Sequence, residues 1–217
     1  MSLLNRKPVR IGRAQRAERD DRYFVVASED THAPKQYFEA LTFRRVKVIV
    51  LPTEDGLSAA EHVVDRLRDA FESAKKLKEV QPDDEFWLLL DTDHRIHRQH
   101  LAALKRALSD ARKSGFGVAM SNPCFELWLL LHHEPIVRGT CFRRCDEVEQ
   151  RLNKALGDYD KAHLKTNHFP RESIQTAIRN ARNLETEPNA PTDLWPETAG
   201  TRVYLLLESI LGHSRSS

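Results

Sequence analysis

The sequence predicts an α/β protein with a parallel sheet of about four strands, flanked by helices. Short apolar runs, rich in β-branched and aromatic residues, alternate along the chain with segments whose apolar residues recur every three or four positions. The apolar runs carry few charges, as expected of strands buried on both faces. Strands that alternate with helices imply right-handed crossovers and helices on both sides of the sheet.

Composition narrows the classes of protein that this chain can form. Of 217 residues, 40% are hydrophobic and 30% are charged, which is typical of a globular protein. The 34 Lys and Arg residues nearly balance the 32 Asp and Glu residues. No apolar stretch approaches the ~18 residues of a membrane span, and the first residues lack the apolar core of a signal peptide. We therefore expect a cytoplasmic protein with no membrane partner.

The cysteines argue against a disulfide framework. Cys124, Cys141 and Cys145 are an odd number in a long chain, which favours a reducing compartment. Cys141 and Cys145 could act with His132 and His133 as zinc ligands, but the spacing matches no common zinc-site pattern. We expect all three to be small packing residues.

The first half of the sheet is predicted from two apolar runs. Residues 22–29 read as the first strand, which ends in a carboxylate. Residues 33–43 have the apolar spacing of a short helix that lies on a sheet. Residues 46–52 then read as a second buried strand, closed by a proline and turn residues.

The second half of the predicted sheet follows a long helical pattern. Apolar residues recur at helical spacing from Ala60 to Leu77, and residues 85–93 then form a third apolar run that ends in carboxylates. A further helical pattern stops at Ser114 and Gly115, as a glycine C-cap requires. Residues 116–121 read as the fourth strand, which leads into an apolar helix.

Three units are predicted along the chain. Residues 1–19 are a basic arm, residues 20–135 the α/β domain, and residues 136–217 a helical extension packed on the same domain. In the extension we expect no further strand, but three amphipathic helices over residues 145–156, 171–184 and 198–211. The arm has the composition of a phosphate-contacting tail and equally that of an inert terminus, and both interpretations stay open.

Four carboxylates fall where ligands bind in open parallel sheets, at the carboxyl ends of the strands. They are Glu29, Asp91, Asp93 and Glu126. Alternate residues of an extended chain point the same way, so Asp91 and Asp93 can face one ion. Several clustered carboxylates repel one another unless a cation is present. Because carboxylate oxygens suit Mg²⁺ or Mn²⁺, we expect one of these ions at this edge.

A basic helix face follows the third strand. Arg98, Lys105 and Arg112 are spaced by seven and therefore share one side of the predicted helix. This face could hold a nucleic-acid backbone, or it could be a solvated surface with salt bridges. No Gly-rich nucleotide-binding motif occurs among the eight glycines.

Three motifs resemble the RloB family, whose members occur with restriction and abortive-infection loci. They are Ser-Glu-Asp-Thr-His-Ala-Pro-Lys at residues 28–35, Leu-Leu-Leu-Asp-Thr-Asp at 88–93 and Ser-Asn-Pro-Cys-Phe-Glu-Leu-Trp at 121–128. The order of strands and acids also resembles the Toprim fold of primases, topoisomerases and OLD-type nucleases. The resemblance includes Tyr159, Asp160 and Lys161.

The resemblance implies roles for particular residues. Glu29, Asp91 and Asp93 take the acidic Toprim positions as metal ligands, and Glu126 lies beside them as a fourth catalytic residue. Lys161 is expected to contact nucleic acid as well. Many relatives have glycine after the first Glu, whereas this chain has Asp30. A side chain there restricts how closely the backbone can approach a ligand.

We therefore expect a Mg²⁺- or Mn²⁺-dependent nuclease that acts in anti-phage defence with an ATPase from the same locus. Its substrate is DNA or RNA, with tRNA among the candidates, and a homo-oligomer is not excluded. The alternative is a non-catalytic regulatory or nucleic-acid-binding subunit of the same ATPase-containing complex. A Toprim-like edge can bind a metal ion without cleaving anything, so the sequence leaves both hypotheses open.

Overall fold

The fold is built on one mostly parallel sheet. A computed structural model describes residues 20–30, 32–53, 60–92, 98–185 and 195–215. The parallel strands are β1 (Arg22–Ser28), β2 (Val46–Leu51), β3 (Glu85–Asp91) and β4 (Gly117–Asn122), and β5 (Gly200–Thr201) pairs antiparallel with β4. The spatial order is β2-β1-β3-β4-β5. The predicted α/β fold is confirmed, and it is consistent with a Toprim-like arrangement.

Helices cover both faces of this sheet. They are α1 (Ala33–Ala40), α2 (Ala60–Lys76), α3 (Arg98–Lys113), α4 (Glu126–Leu131), α5 (Cys145–Leu156), α6 (Ile174–Leu184) and α7 (Val203–Arg215). One hydrophobic core joins the sheet to α2 and α3, and the other joins it to α1 and α4–α7. Because side chains alternate along a strand, Leu88 and Leu90 enter the first core while Trp87 and Leu89 enter the second.

The strands differ in burial according to their place in the sheet. All of the central strand residues Phe86–Leu90 are buried, which explains the continuous apolar run in β3. The prediction that β2 is buried on both faces is wrong, since most of its residues are partly exposed. This strand lies at the edge of the sheet and pairs along its length only with β1.

The C-terminal part also contributes to the sheet, and the prediction of no strand after residue 135 is wrong. Thr201 pairs with Ser121, and their hydroxyl oxygens lie 2.8 Å apart. Arg202 N–H donates a hydrogen bond to the carbonyl of Met120 at 2.8 Å. A two-residue strand is too short to show an alternating pattern in the sequence.

A disulfide joins Cys124 to Cys145, so the prediction that the cysteines are all unpaired is wrong. Cys124 precedes α4 and Cys145 opens α5, and the packing of these helices brings the two Cα atoms to 5.7 Å. Such proximity is tertiary and leaves no mark on cysteine count or spacing. Cys141 is free and exposed. Within the described ranges, no helix is long and apolar enough to cross a membrane.

Candidate metal and phosphodiester site

Glu29 and Asp91 meet where the strand order reverses. The chain passes from β1 to β2 on one side and later to β3 on the other, and such a switch point, at the carboxyl ends of β1 and β3, is where open parallel sheets bind ligands. Glu29 directly follows β1, and its backbone N–H donates to the carbonyl of Leu89 at 3.3 Å. Its Oε1 atom accepts a hydrogen bond from Asp91 N–H at 3.4 Å. The register of the sheet thus places both carboxylates at one edge.

Glu126 reaches the same edge from the first turn of α4. This helix starts soon after β4, and the Glu126 side chain is fully buried. A helix N-terminus favours a negative charge, but burial of a carboxylate still requires partners. Tyr159 donates its hydroxyl to Glu126 Oε1 at 3.0 Å, and the Lys161 ammonium lies 2.9 Å from the same oxygen.

Lys161 bridges two carboxylates. Its Nζ atom is 2.9 Å from Asp30 Oδ2 as well as from Glu126 Oε1. Burial by itself opposes the charged ammonium, but Glu126 and Asp30 outweigh it and raise the pKa of Lys161. Burial, with the charge of Glu126, also raises the pKa of the Tyr159 hydroxyl. Both groups therefore keep their protons at neutral pH.

Asp91 has the most perturbed carboxyl group of the site. Burial raises its pKa well above the ordinary value, and the charges of Glu29 and Glu126 raise it further, while Lys161 offsets only part of this effect. Burial and the charge of Glu126 also raise the pKa of Glu149, on α5. We call Glu29, Asp30, Asp91, Glu126 and Glu149 the acidic cluster. Its electrostatic repulsion is what a divalent cation would relieve.

Two residues of the cluster could hold a hard divalent ion. Glu29 and Asp91 supply carboxylate oxygens at the strand ends, the ligands that Mg²⁺ and Mn²⁺ prefer. Glu126 is differently placed, since Lys161 and Tyr159 contact one oxygen and the other lies 3.2 Å from Cys145 Sγ. That sulfur belongs to the disulfide and has no proton to donate. Glu126 is therefore suited to positioning Lys161 rather than to binding the ion.

The remaining predicted residues fall in different places. Asp93 lies outside the described residues, as does the basic arm 1–19. Lys161 pairs with Asp30 and Glu126 of the acidic cluster and is not part of the basic helix face. Lys105 and Arg112 are exposed on α3, and the Lys105 ammonium lies 5.9 Å from the centroid of the Trp195 ring. Arg98 is the first residue of α3, and its side chain is outside the described part of the structure.

The basic helix face extends away from the acidic cluster. Helix α3 begins after the carboxyl end of β3 and ends before the amino end of β4, which lies at the other end of the parallel strands. At 1.5 Å per residue, Arg112 is ~21 Å along the helix axis from Arg98. Helix α3 also packs in the core opposite to that of α4 and α5. Lys105 and Arg112 therefore lie away from the acidic cluster.

Three further residues of this edge were not predicted from local patterns. Tyr159 and Asp30 hold Glu126 and Lys161 by the contacts above, and Arg66 on α2 donates to the carbonyl of Ser28 at 2.6 Å. The resemblance to the RloB family includes Tyr159 but assigns it no role. Asp30 was noted only because it stands in place of an expected glycine. Arg66 lies within an ordinary amphipathic helix, so its sequence context gives no signal.

Comparison with known proteins identifies the family. Residues 24–210 match the family described as RloB-like protein, and the chain belongs to that family. The match includes both strand ends that carry Glu29 and Asp91, the start of α4 and the segment with Lys161. No curated protein matches the chain. No solved structure matches it.

Proposed function

We propose that this RloB-family protein is a Mg²⁺- or Mn²⁺-dependent nuclease that hydrolyses phosphodiester bonds. The observation that supports it best is the convergence of Glu29, Asp91 and Glu126 at the switch point of the sheet, with the pKa of Asp91 raised by burial and by its acidic neighbours. Perturbed acids in a crevice at the strand ends are typical of functional sites.

Each group of the cluster has a distinct part in the proposed reaction. Glu29 and Asp91 would hold the ion, with Asp93 as a further candidate ligand next along the chain. A divalent ion bound there would polarise the phosphate and lower the pKa of a coordinated water. Glu29 would serve as a ligand or as the general base that takes the proton of the attacking water.

Lys161 supplies positive charge beside these acids. Its side chain is 39% exposed, so the ammonium can meet a phosphate without leaving Glu126. Glu126 and Asp30 fix the position of the ammonium from two sides. A cation fixed in this way stabilises the negative charge that develops on a phosphate during cleavage, because it needs no reorganisation. Glu126 thus acts through Lys161, as a positioning residue.

Nucleic acid is the proposed substrate, because the exposed basic residues of α3 suit a polyanion. Lys105 and Arg112 offer exposed charges along α3, and such contacts supply sequence-independent affinity. The proposal covers both DNA and RNA, including tRNA. In the cell we propose that the protein works as an effector of anti-phage abortive infection with an ATPase encoded nearby.

One observation favours a second candidate, a non-catalytic subunit of such an ATPase complex. The Lys161 ammonium already pairs with two carboxylates, those of Asp30 and Glu126. An ammonium in this position can take over part of the charge compensation that an ion would give. The protein would then keep the fold and bind nucleic acid without cleaving it.

A cleavage assay with the purified protein distinguishes the nuclease from the non-catalytic subunit. We expect Mn²⁺-dependent cleavage of at least one of tRNA, mRNA and DNA, tested with and without the ATPase. Asp91→Asn should abolish it, while Glu149→Gln, at the rim of the cluster, should retain most of it. Absence of cleavage under every condition, together with retained phage protection by Asp91→Asn, would favour the non-catalytic subunit.

A further inference from the structure

The disulfide lies against the acidic cluster. Cys145 Sγ is 3.2 Å from Glu126 Oε2 and 3.8 Å from Glu149 Oε1. Cys124 stands two positions before Glu126 in the chain and is buried. The bond therefore connects the backbone that carries Glu126 to the first residue of α5. Breaking this bond would therefore act directly on Glu126 and Glu149 of the acidic cluster.

These contacts close a ring that includes Tyr159, two residues before Lys161. From Cys145, helix α5 runs to its last turn, where Asn153 Oδ1 accepts a hydrogen bond from Tyr159 N–H at 2.9 Å. The Tyr159 hydroxyl then returns to Glu126 Oε1 at 3.0 Å. The disulfide is the one covalent cross-link in this ring. Tyr159 thus ties this segment to α5 through its backbone N–H and to Glu126 through its hydroxyl.

We propose that the Cys124–Cys145 bond is a reversible redox site, reduced by a dithiol, whose state controls how firmly residues 157–164 are held against Glu126. Cys145 as a whole residue is partly exposed whereas Cys124 is buried, but the Cys145 sulfur lies in a buried group with Cys124 and Glu126, so a dithiol must approach it from the exposed side of Cys145. If the protein works in the reducing compartment that the sequence predicts, a disulfide there is typically transient or redox-sensing.

The exchange balances without any further reagent. One thiolate of the dithiol attacks Cys145 Sγ, the bond to Cys124 breaks, and Cys124 leaves as a thiolate that takes up a proton. The second thiol of the reagent then displaces Cys145, which is released as a thiol. The reductant ends as a disulfide, and two electrons and two protons have passed to the protein.

Reduction changes the cluster in two ways. The covalent tie between the start of α4 and the start of α5 is lost, while the buried Val148 and Leu152 of α5 still pack in the core with α4. The Cys145 sulfur also gains a proton that it can donate to Glu126 Oε2, which faces no sulfur-bound donor in the oxidised state. We therefore expect a folded protein in which residues 157–164 are held less firmly.

Hydrogen exchange in the two redox states tests the proposal. The full chain with Cys141→Ser is compared before and after dithiothreitol, and differential alkylation reports the state of the other two thiols. We expect full native-state reduction and at least severalfold faster exchange of amides in residues 157–164, with β3 unchanged. Cys124→Ala/Cys145→Ala should reproduce the reduced pattern, and Cys124→Ser/Cys145→Ser serves as a second variant if the first does not fold.

Two results would overturn the inference. One is a disulfide that dithiothreitol reduces only after unfolding, and the other is exchange in residues 157–164 that does not change on reduction. Mn²⁺ titration of the oxidised protein runs in parallel. A failure to bind Mn²⁺ would count against the proposed nuclease and leave the exchange result to decide the redox site.

Discussion

Lys161 Nζ and Glu126 Oε1 lie 2.9 Å apart, and this ion pair joins the first turn of α4 to a segment beyond α5. Glu126 is fully buried, so its charge depends on the partners it finds there. Without Lys161, this buried carboxylate would keep only Tyr159 as a donor among the described residues. The pair thus couples the stability of this edge of the protein to the arrangement of its candidate catalytic groups.

Removing the ammonium should therefore destabilise the fold. For Lys161→Met we expect a loss of about 1 to 3 kcal/mol in the free energy of unfolding, below the cost for a wholly buried pair because Lys161 is partly exposed. Urea denaturation at neutral pH measures it. Lys165→Met, which breaks the exposed ion pair with Asp158, is the matched control and should have little effect. Equal midpoints for both variants would refute the coupling.

Adding Glu126→Gln to Lys161→Met should restore part of the lost stability. The neutral amide removes the uncompensated buried charge and keeps an acceptor for the Tyr159 hydroxyl. A double-mutant cycle of urea midpoints gives the interaction energy between the two side chains. Additive losses in the double variant would mean that the two groups do not interact in the folded protein.

Because of His132, we expect the free energy of unfolding to fall at acid pH whether or not a metal ion is bound. Its Nε2 atom is 3.1 Å from the Tyr37 hydroxyl, and its Nδ1 atom is 2.7 Å from Ser173 Oγ. Burial and then the charge of His133 lower the pKa of His132 to about 3. Between the ordinary value near 6.5 and about 3, the unfolded state binds more protons, so stability falls as pH falls through this window.

The slope of unfolding free energy against pH tests this sign. The single group contributes at most about 1.4 kcal/mol per pH unit, and below about pH 3 its contribution no longer changes. His132→Gln should remove that component from the slope of the wild type, whatever constant offset the substitution adds. The exposed His163→Gln is the control. Parallel curves for wild type and His132→Gln would contradict the assigned protonation state.

The basic helix face predicts a salt-dependent affinity. Replacing Arg98, Lys105 and Arg112 by alanine should weaken binding to all oligonucleotides alike and flatten the dependence of log K on log salt by about 0.7 to 0.9 per lost phosphate contact. Fluorescence anisotropy at several salt concentrations measures this slope. Alanine at Lys75, Lys76 and Lys78, near the end of α2, removes the same charge elsewhere. An equal slope for wild type and the α3 variant would make the face ordinary solvated surface.

Sequence patterns predicted those parts of the fold that repeat over many residues. The central apolar runs became β1, β3 and β4, and helix α5 has the bounds that its apolar spacing indicated. The acids Glu29 and Asp91 could be placed together because the carboxyl ends of parallel strands share one edge.

What the sequence did not reveal depends on contacts between distant segments. The short strand β5 carries no periodicity, and the disulfide arises from the packing of α4 against α5. The sequence offered His132 as a zinc ligand with unmatched spacing, yet it is buried between Tyr37 and Ser173. Each of these features needs a partner that lies far along the chain, and the residue type alone does not name it.

Metal-dependent stabilisation tests the central claim most directly. We expect Mn²⁺ to raise the thermal midpoint of the wild type. At a Mn²⁺ concentration of one hundred times the dissociation constant, binding adds about 2.7 kcal/mol to the free energy of unfolding. Asp91→Ala should match or exceed the wild type without metal, because removal of the charge relieves repulsion from Glu29 and Glu126, and it should gain nothing from Mn²⁺. An equal Mn²⁺-induced rise in wild type and Asp91→Ala would contradict a metal site at Glu29 and Asp91.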